Sequence, residues 1–180
     1  MRTEIRIRIL VLLALLVTIG CDRVTKYVAV RTLAGTPGRS FLADIVRISY
    51  VENSGGFLGL GASLPAGIRT GLFTIGTGLL LISLAYVTIR NRSSGWTLFA
   101  LTIFIAGGAS NWIDRVARGS VVDFMNLGLG PVRTGVFNVA DVAVTLGVVI
   151  LLLGQIPRNR NRKPARIDPG GTTGMVEKDA

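Results

Sequence analysis

Two aspartates lie among apolar residues, where an ionised carboxylate is costly. Asp123 lies between Val122 and Phe124 in "SVVDFMN", and Asp141 lies near the start of the apolar run "FNVADVAVTLGVVILL". Apolar surroundings raise the pKa of a carboxyl group, because burial disfavours its charged form. If the two side chains meet, they can share one proton and supply both a base and an acid to a water molecule at neutral pH. The sequence therefore predicts hydrolytic chemistry by a carboxylate pair, provided that the two aspartates meet.

A purely structural role for both aspartates is the alternative. Each could cap a helix or form a salt bridge in a hydrated loop, with Arg115, Arg118 or Arg133 as the partner. Exposed ion pairs of this kind are common and contribute little to stability. The residues alone favour neither interpretation.

Histidine is absent from the chain, and Cys21 is its only cysteine. The chain therefore lacks the usual general base and the commonest metal ligand, and no internal disulfide can form. Proton transfer must use Asp, Glu, Lys or Tyr side chains. We expect neither a metal ion nor a cofactor.

The composition is that of a membrane protein. Of the 180 residues, 49% are hydrophobic and only 17% are charged, and the mean hydropathy is +0.56. Apolar segments at about 7–28, 70–89, 96–113 and 137–156 are each close to the ~20 residues that cross a bilayer. We predict a mainly α membrane protein with four transmembrane helices in one domain, residues 1–157, and with both termini on the same side.

Basic residues close to the apolar segments predict that both termini are cytoplasmic, because Lys and Arg are retained on that side. They are Arg2, Arg6, Arg8, Arg90, Arg92, Arg158, Arg160, Arg162 and Lys163. Residues 158–180 are polar, basic and rich in Gly and Pro, which predicts a disordered cytoplasmic tail. The formal charge of +10 is spread around apolar segments without a nucleic-acid-binding motif, so we expect no nucleic-acid partner.

The N-terminus also resembles that of a secretory signal peptide, with a basic start, an apolar stretch and a Gly20–Cys21 junction. A lipoprotein anchored at Cys21 is therefore an alternative. Thr18 and Ile19 are not the residues that such a cleavage site prefers, and three further apolar segments follow. We expect the first segment to remain as a transmembrane helix.

The segment at about 40–62, between the first two spans, contains a strand pattern. "DIVRISYV" alternates Val46, Ile48 and Tyr50 on one side with Arg47, Ser49 and Val51 on the other, the period of a half-buried strand. The glycines of the following "NSGGFLGLG" permit a close backbone approach. We predict a small β-sheet that forms a cradle outside the membrane, with a loop of no specific role as the alternative.

Polar side chains recur at helical spacing beside the apolar segments. Three groups show this spacing: Asp22 with Lys26, Asn111 with Asp114 and Arg115, and Asn138 with Asp141. Residues three or four positions apart share one face of a helix. An acid four residues before a lysine favours an ion pair, and each amide could orient a carboxylate by hydrogen bonding.

Four motifs occur in a fixed order along about residues 5–156. They are "DRVTK" (22–26), "NSGGF" (53–57), "GGASNWIDRVARGSVVDF" (107–124) and "FNVADVAV" (137–144). In order and spacing they resemble the motifs of the lipoprotein signal peptidases (signal peptidase II), which are four-span aspartyl peptidases of the bacterial inner membrane.

The resemblance implies that Asp123 and Asp141 are the catalytic dyad, at the external ends of the third and fourth spans. It also implies a set of residues that bind substrate or brace the site: Asp22, Lys26, Asn53, Gly55, Asn111, Asp114, Arg115, Asn138 and Ala140. The implied substrates are prolipoproteins with a diacylglyceryl-modified cysteine, cut just before that cysteine. We expect a monomer in membrane lipid, with its active site on the extracytoplasmic side of the inner membrane.

Two residues depart from the family pattern. "NSGGF" is one residue shorter than usual, and Ser110 occupies a position where the family normally has glycine. These departures affect the predicted shape of the loop around Asn53 and leave a divergent paralogue as one alternative. A small proton-coupled transporter is another, because such proteins also place carboxylates in membrane helices. The clustering of the acids toward one face argues against the transporter.

Overall fold

The computed structural model describes residues 2–91 and 95–154. Within them the chain forms four long helices: α1 (Arg2–Leu33), α2 (Ala66–Arg90), α3 (Gly95–Arg118) and α4 (Val139–Gly154). In α2, the residues Thr70–Gly76 are π-helical, between the α-helical segments Ala66–Arg69 and Thr77–Arg90. Each predicted apolar segment therefore falls on a helix. The predicted tail at 158–180 lies outside the described residues.

Two of these helices, α2 and α3, are long and apolar enough to cross a membrane. Helix α4 is apolar but has only 16 residues, which corresponds to roughly 24 Å at the usual rise of an α-helix. Helix α1 has 32 residues, but charged side chains lie toward both of its ends, including Arg8 and Asp22. The described residues thus contain two clear candidate spans, and four spans remain a prediction.

A four-stranded antiparallel sheet lies against these helices. Its strands are β1 (Arg39–Phe41), β2 (Val46–Asn53), β3 (Val121–Leu129) and β4 (Val132–Arg133), and they neighbour one another in chain order. The strand predicted from the alternation at 46–51 is confirmed as β2. The cradle predicted at 40–62 supplies only half of the strands, because β3 and β4 come from the chain after α3.

Asp123 lies on strand β3, which corrects its expected position at the end of the third helix. Helix α3 ends at Arg118, and Gly119 follows with a φ of +75°, a conformation that glycine adopts at little cost. The chain then pairs with β2, so that Val51 lies opposite Asp123. The turn at Gly119 therefore directs the aspartate into the sheet.

The first part of β3 is buried on both faces. Val121, Val122, Asp123 and Phe124 are all buried, and Val122 and Phe124 pack against Ala29 and Leu33 of α1. A strand that is covered on both sides shows no alternation of polar and apolar residues. This explains why β3 was not predicted.

Close packing of α3 on α4 brings the polar residues of both helices together. A Cβ atom on Gly107 would lie 2.5 Å from the carbonyl oxygen of Ala140, so any larger residue there would force the helices apart. Small residues at helix contacts permit this approach. Asn111 lies one turn beyond Gly107 and is therefore held beside the first turn of α4.

Candidate active site

Asp141 lies in the first turn of α4 and forms a reciprocal cap with Asn138. The backbone N–H of Asp141 donates to Asn138 Oδ1 at 3.0 Å, and the backbone N–H of Asn138 donates to Asp141 Oδ2 at 3.1 Å. This is the geometry of a capping box. The predicted capping role is therefore correct for Asp141. It also holds the carboxylate at the positive end of the helix dipole.

Asp123 is 1% exposed and is held by two side-chain amides. Asn53 Nδ2 donates to its Oδ2 at 2.8 Å, and Asn138 Nδ2 donates to its Oδ1 at 2.6 Å. Asn138 therefore contacts both aspartates, Asp123 with its side chain and Asp141 with its backbone. The structure thus brings together two carboxylates that are 18 positions apart in the sequence.

Asn111 completes the set of amides around the two carboxylates. Its Nδ2 donates to Asp141 Oδ1 at 2.9 Å, and its Oδ1 accepts hydrogen bonds from Lys26 Nζ at 2.7 Å and Asn138 Nδ2 at 3.1 Å. All four carboxylate oxygens of the two aspartates now accept a hydrogen bond from an amide N–H. The expected pairing of Asn111 with Asp114 is replaced by a bond across to α4.

The three arginines that the structural alternative would pair with Asp123 and Asp141 contact other groups. Arg118 pairs with Asp114, Arg133 pairs with Asp44, and Arg115 donates to the carbonyl oxygen of Gly55 at 2.7 Å. Within residues 2–91 and 95–154, no Lys or Arg nitrogen lies within 4.0 Å of either carboxylate. The direct hydrogen bonds to both carboxylates therefore come from neutral amides, while the charges of Lys26 and Arg115 act on them from a greater distance.

Burial, together with the nearby charge of Asp141, raises the pKa of Asp123 to about 6, although the hydrogen bonds from Asn53 and Asn138 and the charge of Lys26 oppose the rise. A carboxyl group with this pKa still carries its proton in part of the population near neutral pH. That is the property required of the acid in a carboxylate pair.

A buried ionic cluster supports the amides. Asp22, Lys26 and Asp114 are each at most 1% exposed. Lys26 Nζ lies 2.7 Å from Asp22 Oδ2 and 2.8 Å from Asp114 Oδ2, so the predicted pair of Asp22 with Lys26 is confirmed. Asp114 also pairs with Arg23 at 2.6 Å. Buried ions tolerate this environment only when they are paired and hydrogen-bonded.

Asp22 also links α1 to the two helices that hold the site. Its Oδ1 accepts the backbone N–H of Ala140 at 2.9 Å, and its Oδ2 accepts the hydroxyl of Ser110 at 2.6 Å. Ser110 is the residue that departs from the glycine expected by the family resemblance. Its hydroxyl supplies a bond to Asp22 that glycine could not make.

The shortened loop after β2 closes tightly around Asn53. The N–H of Gly55 donates to Asn53 Oδ1, and Asn53 Nδ2 donates to the carbonyl oxygen of Gly56, both at 2.9 Å. A Cβ atom on Gly55 would lie 2.5 Å from the carbonyl oxygen of Leu60, so glycine is required there. The bond from Arg115 then fastens this loop to α3.

An apolar cavity of about 260 Å³ opens beside Asp141. Its lining comes from three separate segments: Phe57, Leu58, Thr134, Phe137, Asp141, Val142, Thr145 and Leu146. Sequence reasoning missed it, because apolar residues beside an apolar helix carry no signal of a cavity.

All the residues that the resemblance assigned to the site are joined by the contacts above into one network. None of them lies elsewhere in the fold. In the part of the chain that the structure describes, no group of three or more His, Cys, Asp and Glu side chains could hold a metal ion. The two hydrogen-bonded carboxylates of this network are groups that can perform acid–base chemistry.

Comparison with known proteins identifies the family. The sequence profile described as signal peptidase (SPase) II matches residues 14–156. The chain belongs to the signal peptidase II family. It is therefore a bacterial membrane protein and a protease.

Individual relatives match this chain over most of their own lengths. The chain is 32% identical to the lipoprotein signal peptidase of Streptococcus pneumoniae, over 86% of this chain and 97% of that protein. It is 33% identical to the lipoprotein signal peptidase of Sphingopyxis alaskensis, over 80% and 86% respectively. A bacterial membrane enzyme solved by the in meso method at 2.3 Å resolution superposes with a TM-score of 0.71 at 26% identity, covering 88% of this chain and 94% of that one.

The double role of Asn138 in this signal peptidase II can be separated by substitution. Serine is also a good N-cap, but its side chain is too short to reach Asp123. Asn138→Ser should therefore keep the thermal unfolding temperature and lower kcat by about tenfold to a hundredfold, the value of a hydrogen bond to a charged group. Asn138→Ala, which removes the cap as well, should lower both quantities. A wild-type kcat for the serine variant would contradict this role.

The raised pKa of Asp123 predicts a pH-dependent stability. The folded protein holds this proton up to about pH 6, whereas the unfolded chain releases it near the ordinary value of 3.8. The folded state therefore binds more protons between these values, and the free energy of unfolding falls as pH rises through this window. The total loss is about 2 to 3 kcal/mol.

Thermal unfolding in detergent between pH 4 and 7 measures this effect, with Asp123→Asn as the reference that lacks the titrating group. The wild-type unfolding temperature should decline more steeply than that of the variant. Parallel pH profiles would show that the pKa of Asp123 is not raised.

Proposed function

We propose that this signal peptidase II is an aspartyl endopeptidase that removes signal peptides from diacylglyceryl-modified prolipoproteins, with Asp123 and Asp141 as its catalytic dyad. The cut falls immediately before the lipidated cysteine. The observation that carries the proposal is the pair of buried carboxylates, in which each oxygen accepts a hydrogen bond from an amide and neither group lies within 4.0 Å of a Lys or Arg nitrogen of the described residues. The names of the relatives in Streptococcus pneumoniae and Sphingopyxis alaskensis support the substrate class.

In this mechanism Asp141 is the base and Asp123 carries the proton. Asp141 removes a proton from water, the water oxygen bonds to the scissile carbonyl carbon, and Asp123 donates its proton to the carbonyl oxygen. The proton on Asp141 then passes to the leaving nitrogen, the C–N bond breaks, and Asp123 recovers its proton from a hydroxyl of the intermediate. The position of Asp141 at the start of α4 favours its ionised form, which supports this assignment.

The proposed topology has four membrane spans, cytoplasmic termini and an extracytoplasmic site. Helix α3 ends and helix α4 begins at the same end of the helix pair, where β3 connects them through Asp123. The dyad, the ionic cluster and the sheet all lie at this end. A substrate held in the bilayer by its lipid would reach a dyad near the membrane surface, where water can enter.

The cavity beside Asp141 supports an apolar peptide as the substrate. It is lined by Phe57, Leu58, Val142 and Leu146 among others, so it suits the aliphatic residues of a signal peptide. Because Asp141 lines the cavity, an aliphatic residue of a bound signal peptide would lie directly beside the proposed base.

Two alternatives from the sequence receive less support. Beyond Asp141 the helix α4 has no charged residue, so the acids form no relay through the membrane as a proton transporter requires. Cys21 is exposed within the continuous helix α1, and its neighbour Asp22 bonds to Ala140. Cleavage before Cys21 would divide a helix that is tied to the site.

Asparagine at either position of the dyad tests the mechanism. Asp123→Asn and Asp141→Asn should each reduce cleavage of a lipidated precursor peptide by at least the 10²- to 10⁴-fold typical of acid–base catalysis, because asparagine cannot exchange the proton. Mass spectrometry of the peptide products measures this. Asp44→Asn, an exposed aspartate outside the network, is the matched control and should cleave normally. Wild-type turnover by either dyad variant would refute the dyad.

A larger side chain in the cavity tests the peptide position. Val142→Trp would fill the space beside Asp141 and should raise KM for the precursor several-fold, with less effect on the unfolding temperature. Val149→Trp is the control, because Val149 lies two turns further along the same helix face, has similar exposure and is outside the cavity. Equal KM values for the two variants would exclude the cavity as a peptide site.

A further inference from the structure

Two loops at the end of the sheet are joined into one surface. The backbone N–H of Gly128 donates to the carbonyl oxygen of Ile45 at 2.9 Å, and Arg133 Nη1 donates to the carbonyl oxygen of Asp44 at 2.7 Å. The turn between β1 and β2 is thereby fixed beside the hairpin of β3 and β4. We call the apolar residues on this surface the distal rim: Leu42, Ile45, Leu127, Leu129 and Val132.

The distal rim is unusually exposed for its composition. Leu42 and Leu129 are each 71% exposed and Val132 is 76% exposed. Single exposed apolar residues are ordinary, but a contiguous group of them at the tips of adjacent loops indicates an interaction surface. Ile45, Leu127, Leu129 and Val132 line an open groove of about 680 Å³.

Strand β1 places the rim near the lipid-facing side of α1. Phe41, next to Leu42, lines an apolar groove of about 340 Å³ together with Val24 and Val28 of α1. Val24 and Val28 are exposed and belong to the outer end of the apolar segment predicted at 7–28. The start of the rim therefore lies beside the outer end of the part of α1 that we predict to span the membrane.

The charges around the rim suit an anionic surface. Between residues 39 and 47 and between 127 and 134 there are three arginines, Arg39, Arg47 and Arg133, and a single acid, Asp44. Asp44 is bonded to Arg47 at 2.6 Å and to Arg133 at 3.4 Å, and an excess of positive charge remains. Basic residues beside exposed apolar ones are typical of segments that lie in the headgroup region of a bilayer.

We propose that the distal rim inserts into the bilayer, at the boundary between headgroups and acyl chains, on the side where α3 ends. The partner is lipid rather than a protein. The sheet is then held to the membrane at its free end as well as through the helices. Because β3 carries Asp123, this second attachment fixes the height of the carboxylate above the lipid. The inference does not depend on the reaction catalysed.

Spin labels can measure the depth of the rim in the full-length protein. Cys21→Ser removes the only cysteine, and single cysteines are then introduced by Leu129→Cys or Val132→Cys, both at exposed positions. The labelled protein is placed in vesicles of phosphatidylglycerol and phosphatidylethanolamine. Collisions with oxygen, which concentrates in lipid, are compared with collisions with a water-soluble nickel chelate.

Two reference positions calibrate the measurement. A label on the native Cys21, exposed on α1, reports lipid, and a label at Ala34→Cys, an exposed residue just beyond α1, reports water. Labels at 129 and 132 should give oxygen-to-chelate ratios close to that of Cys21 and several-fold above that of Ala34. Ratios equal to that of Ala34 would overturn the proposal. Few collisions with either reagent would also overturn it, because the rim would then be covered by protein, such as a second copy of the chain.

Discussion

The hydrogen bond from the buried ammonium of Lys26 to Asn111 fixes the chemistry of the whole site. An ammonium group only donates, so it forces the carbonyl oxygen of Asn111 toward itself, at 2.7 Å. The amide nitrogen must then point the other way, where it donates to Asp141 at 2.9 Å. The positive charge thus orients a donor toward Asp141 without pairing with it. A direct salt bridge would hold Asp141 permanently ionised, whereas a neutral amide leaves its proton free to move.

Placing that ammonium in the protein interior requires partners from two helices. Asp22 of α1 and Asp114 of α3 surround Lys26, and Asp22 reaches on to the backbone of Ala140 in α4. Breaking one partner of a buried ion pair is strongly destabilising, so the three helices are held in a single arrangement. A catalytic pair needs this rigidity, because small displacements of its groups sharply lower the reaction rate.

The sequence predicted the helices and the local polar pairs better than it predicted the sheet. The pairing of Asp22 with Lys26 and the cap formed by Asn138 and Asp141 follow from spacing within one helix, which is a local rule. The position of Asp123 on β3 does not, because Val121 to Phe124 are buried on both faces and show no alternation. The contacts of Ser110 and Arg23, and the cavity beside Val142, depend on how distant segments meet. No local pattern encodes them.

Asn138 links the start of α4 to Asp123 on β3, so the order in which these elements are made and docked determines when the two carboxylates meet. The same side chain that begins the helix also holds the carboxylate on the sheet. The two carboxylates therefore come into register only when α4, which is made after β3, has docked against that strand. In the proposed mechanism, a chain in which α4 has not yet docked would lack the assembled dyad and therefore the proteolytic activity.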